Sequence, residues 1–186
     1  DNLDLGGGFG VNYEKFEIKN FNILKKILTE LFINTDFNIN LEPGRALLAD
    51  SGTLITKTIR TKKTLTKQFL IVDAGMNDFI RPTLYNASHR FEPLKKDENR
   101  DQNIYDIVGP ICETGDFFGL GINMQKMFKN EFLGIMSVGA YGSVMSSNYN
   151  ARPNIAEIII YKGKDLILRN RQTIEKLIEK DIIPNF

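Results

Sequence analysis

The hydrophobic pattern of this 186-residue chain shifts at Gly52 from alternating strand and helix to mostly strand, and that shift limits the folds open to it. Before it, Leu3-Asp4-Leu5 reads as a short buried strand running into a glycine turn. Residues 18–33 then carry Leu24, Ile27, Leu28 and Leu31 at the i, i+3, i+4, i+7 spacing of an amphipathic helix. Phe37-Asn38-Ile39-Asn40-Leu41 reads as a second short strand, stopped by Glu42-Pro43-Gly44. Strand, helix and strand with tight connections form a βα unit of a parallel sheet or barrel. A short helical segment is expected at 46–49, ended by Ser51-Gly52.

After Gly52 the chain reads as mostly β. Residues 53–66 are rich in Thr and Ile, and Phe69-Leu70-Ile71-Val72 is a compact apolar run. Residues 104–111, 132–138 and 155–161 read as further strands separated by turns, and the polar run 95–103 as a solvated loop. Ile174, Leu177, Ile178 and Ile182 stand at helical spacing, so residues 173–183 are expected to close the chain as a helix. The expected division is an α/β portion over 1–52 and a mostly antiparallel β-domain over 53–186.

Composition excludes several function classes. A 42% hydrophobic content and a formal net charge of +1 describe an ordinary globular chain. Lys and Arg are scattered, which gives no nucleic-acid footprint. No apolar run approaches the roughly 20 residues of a membrane span. A single cysteine excludes an internal disulfide and fits a reducing cytoplasm. With one histidine and one cysteine, neither a zinc site nor a Ser-His-Asp site is expected, and His89 reads as a loop residue. The chain opens at Asp1 directly into a strand, with neither the basic flank nor the apolar stretch of a signal peptide. A strand with no neighbour to pair with is unstable, so a piece of a longer protein is expected.

Four short words carry the chemistry. In Gly6-Gly7-Gly8-Phe9-Gly10 the missing Cβ atoms let backbone N–H groups approach a phosphate; the plain reading is a tight βα turn. Glu42-Pro43-Gly44-Arg45 separates a carboxylate from a guanidinium by a rigid turn, which suits a ligand with two differently charged ends. The alternative is an internal salt bridge. Cys112-Glu113 sits between Gly109-Pro110 and Gly115, where a thiol is suited to general-acid work and a carboxylate to an ammonium; a lone cysteine is otherwise a small buried hydrophobe. Tyr141, in Gly139-Ala140-Tyr141-Gly142, offers a phenol on a glycine-flanked turn or, alternatively, a core tyrosine. Arg81 and Tyr85, four residues apart after Asp73-Ala74-Gly75-Met76-Asn77-Asp78, suit a carboxylate, or else Arg81 packs by its stem on an aromatic surface.

Taken in this order the words resemble the pyridoxal-phosphate amino-acid decarboxylases of the alanine-racemase-like fold, nearest to the branch acting on meso-diaminopimelate. The resemblance spans the chain from Leu3 to Ala151-Arg152-Pro153. It implies the last βα units of a TIM-type (β/α)8 barrel followed by a β-domain, in a head-to-tail homodimer with shared active sites. It implies pyridoxal 5'-phosphate as cofactor, with Gly8 at the phosphate, Glu42 at the pyridine nitrogen, and Gly44 and Arg45 at phosphate and substrate. Arg81, Tyr85 and Glu113 would grip an amino-acid substrate, Tyr141 would touch phosphate and substrate, and Cys112 would donate the proton across the dimer interface. The implied reaction converts meso-2,6-diaminopimelate to L-lysine and CO2. The family's cofactor-bearing lysine lies on an early barrel strand, and no lysine here stands in a matching context. The resemblance therefore requires an N-terminal barrel segment as partner, and the chain alone is expected to be inactive. Decarboxylases of ornithine, arginine or carboxynorspermidine type, and a non-catalytic regulatory homologue, stay open as alternatives.

Overall fold

The computed structural model describes residues 1–15 and 21–184. β1 (Asn2–Asp4) and β2 (Asn38–Asn40) pair in parallel, with Leu3 opposite Ile39, and α1 (Asn22–Phe32) connects them. This is the expected βα unit; the expected helix start at residue 18 lies outside the described residues. α2 (Gly44–Leu48) begins two residues before the segment expected, because Pro43 before it has its φ fixed at −79° and no N–H to satisfy. A 3-10 turn over Ala49–Ser51 follows.

Six strands form the main sheet: β3 (Thr53–Lys63), β4 (Gln68–Val72), β5 (Phe91–Pro93), β6 (Gln102–Val108), β7 (Phe117–Gln125) and β8 (Phe132–Met136). Their spatial order is β5-β8-β3-β4-β6-β7, and every pairing is antiparallel except β4 with β6. Leu54, Thr56 and Thr58 of β3 alternate inward at the strand period of two, over a core of Leu70, Val72, Tyr105, Ile107, Phe118, Leu133 and Ile135.

Several elements differ from the sequence reading. β5 and β7 were not expected. In β7 two glycines break the apolar pattern, yet both serve the strand. Gly121 (φ 66°) sits in a bulge and donates its N–H to Asp106 Oδ1 at 2.9 Å. Gly119 leaves room for the Phe91 ring, whose nearest atom would stand 2.8 Å from a Cβ there. The run 95–103 is anchored rather than simply solvated, since Arg100 pairs with Asp97 at 3.2 Å and with Glu131 at 2.8 Å, and β6 begins at Gln102. β6 ends at Val108 rather than 111, and α3 (Arg81–Tyr85) is one helical turn closed by Asn86 in the left-handed conformation. β9 (Glu157–Tyr161) continues into an unexpected β10 (Lys164–Arg169) through Lys162 and Gly163, both at positive φ, the requirement of a tight hairpin turn. The closing helix α4 (Ile174–Ile178) is short, capped by Thr173 Oγ1, and does not reach 183.

The two parts meet backbone to backbone. Gly139 donates its N–H to Ala49 O at 2.9 Å, and Val138 to Gly52 O at 3.0 Å. A Cβ on Gly139 would overlap the Leu48 carbonyl oxygen, and one on Gly52 would stand 2.7 Å from the Gly139 backbone. Gly139→Ala should therefore destabilise the intact protein by about 1–3 kcal/mol, as overpacking does. Gly10→Ala, with open space around the same atom, should stay within about 0.5 kcal/mol in a urea titration of both variants.

Candidate active site

The glycine run and α2 build one wall. Gly6 (φ 70°) and Gly8 (φ 78°) hold the left-handed backbone that other residues adopt at a cost, and a Cβ on Gly7 would overlap the Glu42 carbonyl oxygen. Glu42 N–H in turn donates to Gly6 O at 2.8 Å, so the run and the Glu-Pro-Gly-Arg turn form one surface. The expected alternative of an internal Glu42–Arg45 salt bridge is not realised: among the described residues neither side chain makes a hydrogen bond or ion pair. A carboxylate and a guanidinium thus stand unpaired at the start of α2. Tyr141 is not a core residue. It is half exposed and held at φ 62°, unusual for an aromatic residue, on the turn that Gly139 docks against the end of α2.

Arg81 anchors a second group. It is buried at 6% exposure, and among the described residues no carboxylate pairs with it. One terminal nitrogen, Nη1, donates to Tyr13 Oη at 3.0 Å and to His89 Nε2 at 3.2 Å. The guanidinium also lies over the rings of Tyr13 (5.2 Å) and Tyr85 (6.0 Å). His89, read from sequence as a plain loop residue, does sit in the loop after α3, but it is buried against Tyr13 and Phe79 with edge-on rings. Its Nδ1 faces the Met136 carbonyl at 2.9 Å. Burial lowers its pKa to about 4, the Arg81 charge adding to this and the Met136 hydrogen bond opposing it.

Cys112 and Glu113 form the third group. Cys112 is exposed, which removes the small-hydrophobe alternative. The loop that carries it is braced by buried Asp116, whose carboxylate accepts the N–H of Met76 at 2.7 Å and of Ile111 at 2.6 Å. Burial raises the Asp116 pKa, and those two N–H groups oppose the shift. Glu113 accepts a hydrogen bond from Tyr149 Oη at 3.2 Å, which pushes the Tyr149 phenol up. Beneath the loop, Arg152 donates to Asn77 Oδ1 at 2.9 Å and lies 3.7 Å from buried Asp78. The structure thus sets the glycine run that holds Gly8 against Glu42, with Gly44 and Arg45 opening α2, docks the turn that carries Tyr141 at the other end of α2, and places Arg81 over the Tyr85 ring. Cys112 and Glu113 stand on a separate exposed loop. Tyr13 and Tyr149 escaped sequence reasoning; Tyr13 follows the glycine run by three residues, which was the one available signal, and Tyr149 had none.

Comparison with known proteins decides the family. The model described as pyridoxal-dependent decarboxylase, C-terminal sheet domain, matches residues 16–139. This chain belongs to that family. A diaminopimelate decarboxylase of Aquifex aeolicus is 41% identical over 181 residues, covering 97% of this chain and 43% of the relative. Among solved structures, one from Aquifex aeolicus superposes with a TM-score of 0.91 at 42% identity, over 97% of this chain and 45% of that one. The Helicobacter pylori diaminopimelate decarboxylase complexed with L-lysine superposes with a TM-score of 0.86 at 38% identity, over 96% of this chain and 44% of that one. The chain spans less than half the length of these relatives. No described helix is long and apolar enough to cross a membrane, and no described cluster of three or more His, Cys, Asp or Glu residues suits a metal.

His89 also sets a pH dependence. Its folded pKa of about 4 lies below the ordinary 6.5, so the unfolded chain binds more protons between these values. Its contribution is complete above pH 6.5 and is lost as pH falls to 4, about 3 kcal/mol at roughly 1.4 kcal/mol per pH unit. Asp78 and Asp116, with raised pKa values, act in the opposite sense. Unfolding free energies at pH 7 and 4.5 should therefore fall more steeply with acid in the wild type than in His89→Gln.

Proposed function

We propose that this chain supplies part of the cofactor cradle and the substrate grip of a pyridoxal-phosphate decarboxylase acting on meso-2,6-diaminopimelate. The observation that carries the reading is Arg81, a buried guanidinium with no carboxylate among the described residues. A buried charge without a partner is costly, and a ligand carboxylate would offset that cost with charge-assisted hydrogen bonds. Diaminopimelate ends in both a carboxylate and an ammonium, so its far end needs a base and an acid. Arg81 and Glu113 are that pair, and Tyr85 stands beside Arg81 to add a hydroxyl.

The groups at the α2 junction suit the cofactor. Gly8 presents open backbone toward a phosphate, Gly44 and Arg45 sit at the start of α2, and Tyr141 Oη is accessible. The unpaired Glu42 carboxylate is suited to the pyridine nitrogen, which it would keep protonated. When bound, the cofactor would supply an electron sink. With that group in place, the bond from Cα at the D-centre to its carboxylate would break, CO2 would leave, and the bonding pair would be held by the sink until a proton reaches Cα. Exposed Cys112 then gives its thiol proton to that carbon, yielding L-lysine, and the thiolate recovers a proton from water. The exposure of the Cys112-Glu113 loop supports delivery into the site of a second copy in a homodimer with shared active sites. The lysine that carries the cofactor would come from an N-terminal barrel segment, with the division between barrel and β-domain near Gly52.

In the full-length protein, Cys112→Ala should cut turnover about 10²–10⁴-fold while cofactor binding persists. Near-normal turnover would make the thiol a bystander. Arg81→Ala should weaken meso-diaminopimelate by about 2–5 kcal/mol and affect a substrate without the distal carboxylate much less. Equal losses on both substrates would return the choice to the ornithine type.

A further inference from the structure

We infer that His89 and Tyr13 are positioning residues that hold Arg81 by one nitrogen and aim its opposite edge at the substrate's distal carboxylate. This rests on the reading of Arg81 as the carboxylate grip. A guanidinium has five N–H donors and no acceptor. Two of the five, both on Nη1, point at Tyr13 Oη and His89 Nε2. The remaining three, on Nε and Nη2, make no hydrogen bond among the described residues, and neither nitrogen is a fully buried orphan. Nε and Nη2 form the edge whose parallel N–H bonds match a carboxylate bidentately. Fixing Nη1 therefore fixes the direction of the fork.

The imidazole suits this task through its tautomer. The Met136 carbonyl is only an acceptor, so Nδ1 must carry a proton to bond it. Arg81 is only a donor, so Nε2 must present its lone pair. A neutral ring with Nδ1–H meets both demands, and burial keeps the ring neutral across the physiological range. A second carboxylate in place of His89 would pair with Arg81 and compete with the substrate. A neutral acceptor orients the guanidinium and leaves its charge available. Tyr13 does the same from the loop after the glycine run, so the phosphate-side loop and the carboxylate grip share one contact.

Steady-state kinetics of the full-length protein tests this with meso-diaminopimelate. His89→Phe keeps an edge-packing ring without donor or acceptor, and Tyr13→Phe removes only the hydroxyl. Each should raise KM about 10-fold or more with kcat within about 3-fold and cofactor affinity unchanged, and the rise should disappear in the Arg81→Ala background, where there is no fork to aim. His89→Gln, which has both a donor and an acceptor, should restore KM to within about 3-fold of the wild type. If His89→Phe does not fold, Tyr13→Phe with its Arg81→Ala double variant carries the test. Unchanged KM in the folded variants, a loss confined to kcat, or a full KM rise persisting without Arg81 would overturn the inference. A wild-type protein that releases no CO2 from meso-diaminopimelate would instead overturn the proposed function and leave the orientation of Arg81 to be read from its structure.

Discussion

Where Gly139 passes Leu48 and Gly52, two backbones lie so close that no side chain fits between them, and the candidate site hangs from that contact. The hydrogen bonds from Gly139 to Ala49 and from Val138 to Gly52 fasten the end of β8 to the end of α2. Tyr141, two residues beyond, is thereby held at a left-handed φ that it would not choose alone. On the other side, Gly7 presses against Glu42, so the glycine run meets the Glu-Pro-Gly-Arg turn at the start of α2 while the Gly-Ala-Tyr-Gly turn meets its end. Glycine is required at these positions for close approach more than for flexibility.

Charge placement follows a second logic. The ionisable groups that serve structure are buried and partnered: Asp116 by two backbone N–H groups, Asp78 by Gly75 N–H and Arg152. The groups assigned to ligands are left without a counter-charge, as Glu42, Arg45 and Arg81 are among the described residues. Asp116 links the two sets, because its carboxylate braces the loop that exposes Cys112 and Glu113. A buried carboxylate thus braces a loop whose thiol and carboxylate are themselves on the surface.

The α/β portion depends on neighbours more than the β-domain does. α1 has no buried residue, and beside it an apolar cavity of about 520 Å³ is lined by Phe9, Leu24, Leu28, Ile39, Leu41 and Leu47. A two-stranded parallel pair with one helix cannot cover both of its faces. The six-stranded sheet, by contrast, encloses its own core, with Leu70, Tyr105, Ile107, Leu133 and Ile135 removed from solvent.

Local pattern alone determined a good deal: the βα unit, from the i, i+4 stripe of α1 between two short apolar runs; and the strands β3, β4 and β8, from uninterrupted apolar or alternating residues; it also supplied the four words to which the proposed chemistry is assigned. It failed at β7, where Gly119 and Gly121 look like breakers until the Phe91 ring and the Asp106 carboxylate are seen to need them. It placed His89 in a loop, as found, but could not show its burial, because its partners, Tyr13, Phe79, Arg81 and Met136, come from other segments. Sequence names the residue types a ligand requires, because that chemistry resides in each side chain. Which of them are buried, which are paired and which are left open depends on contacts between segments far apart in the chain, such as Arg152 with Asn77, 75 residues away, and those exist only once the chain has folded.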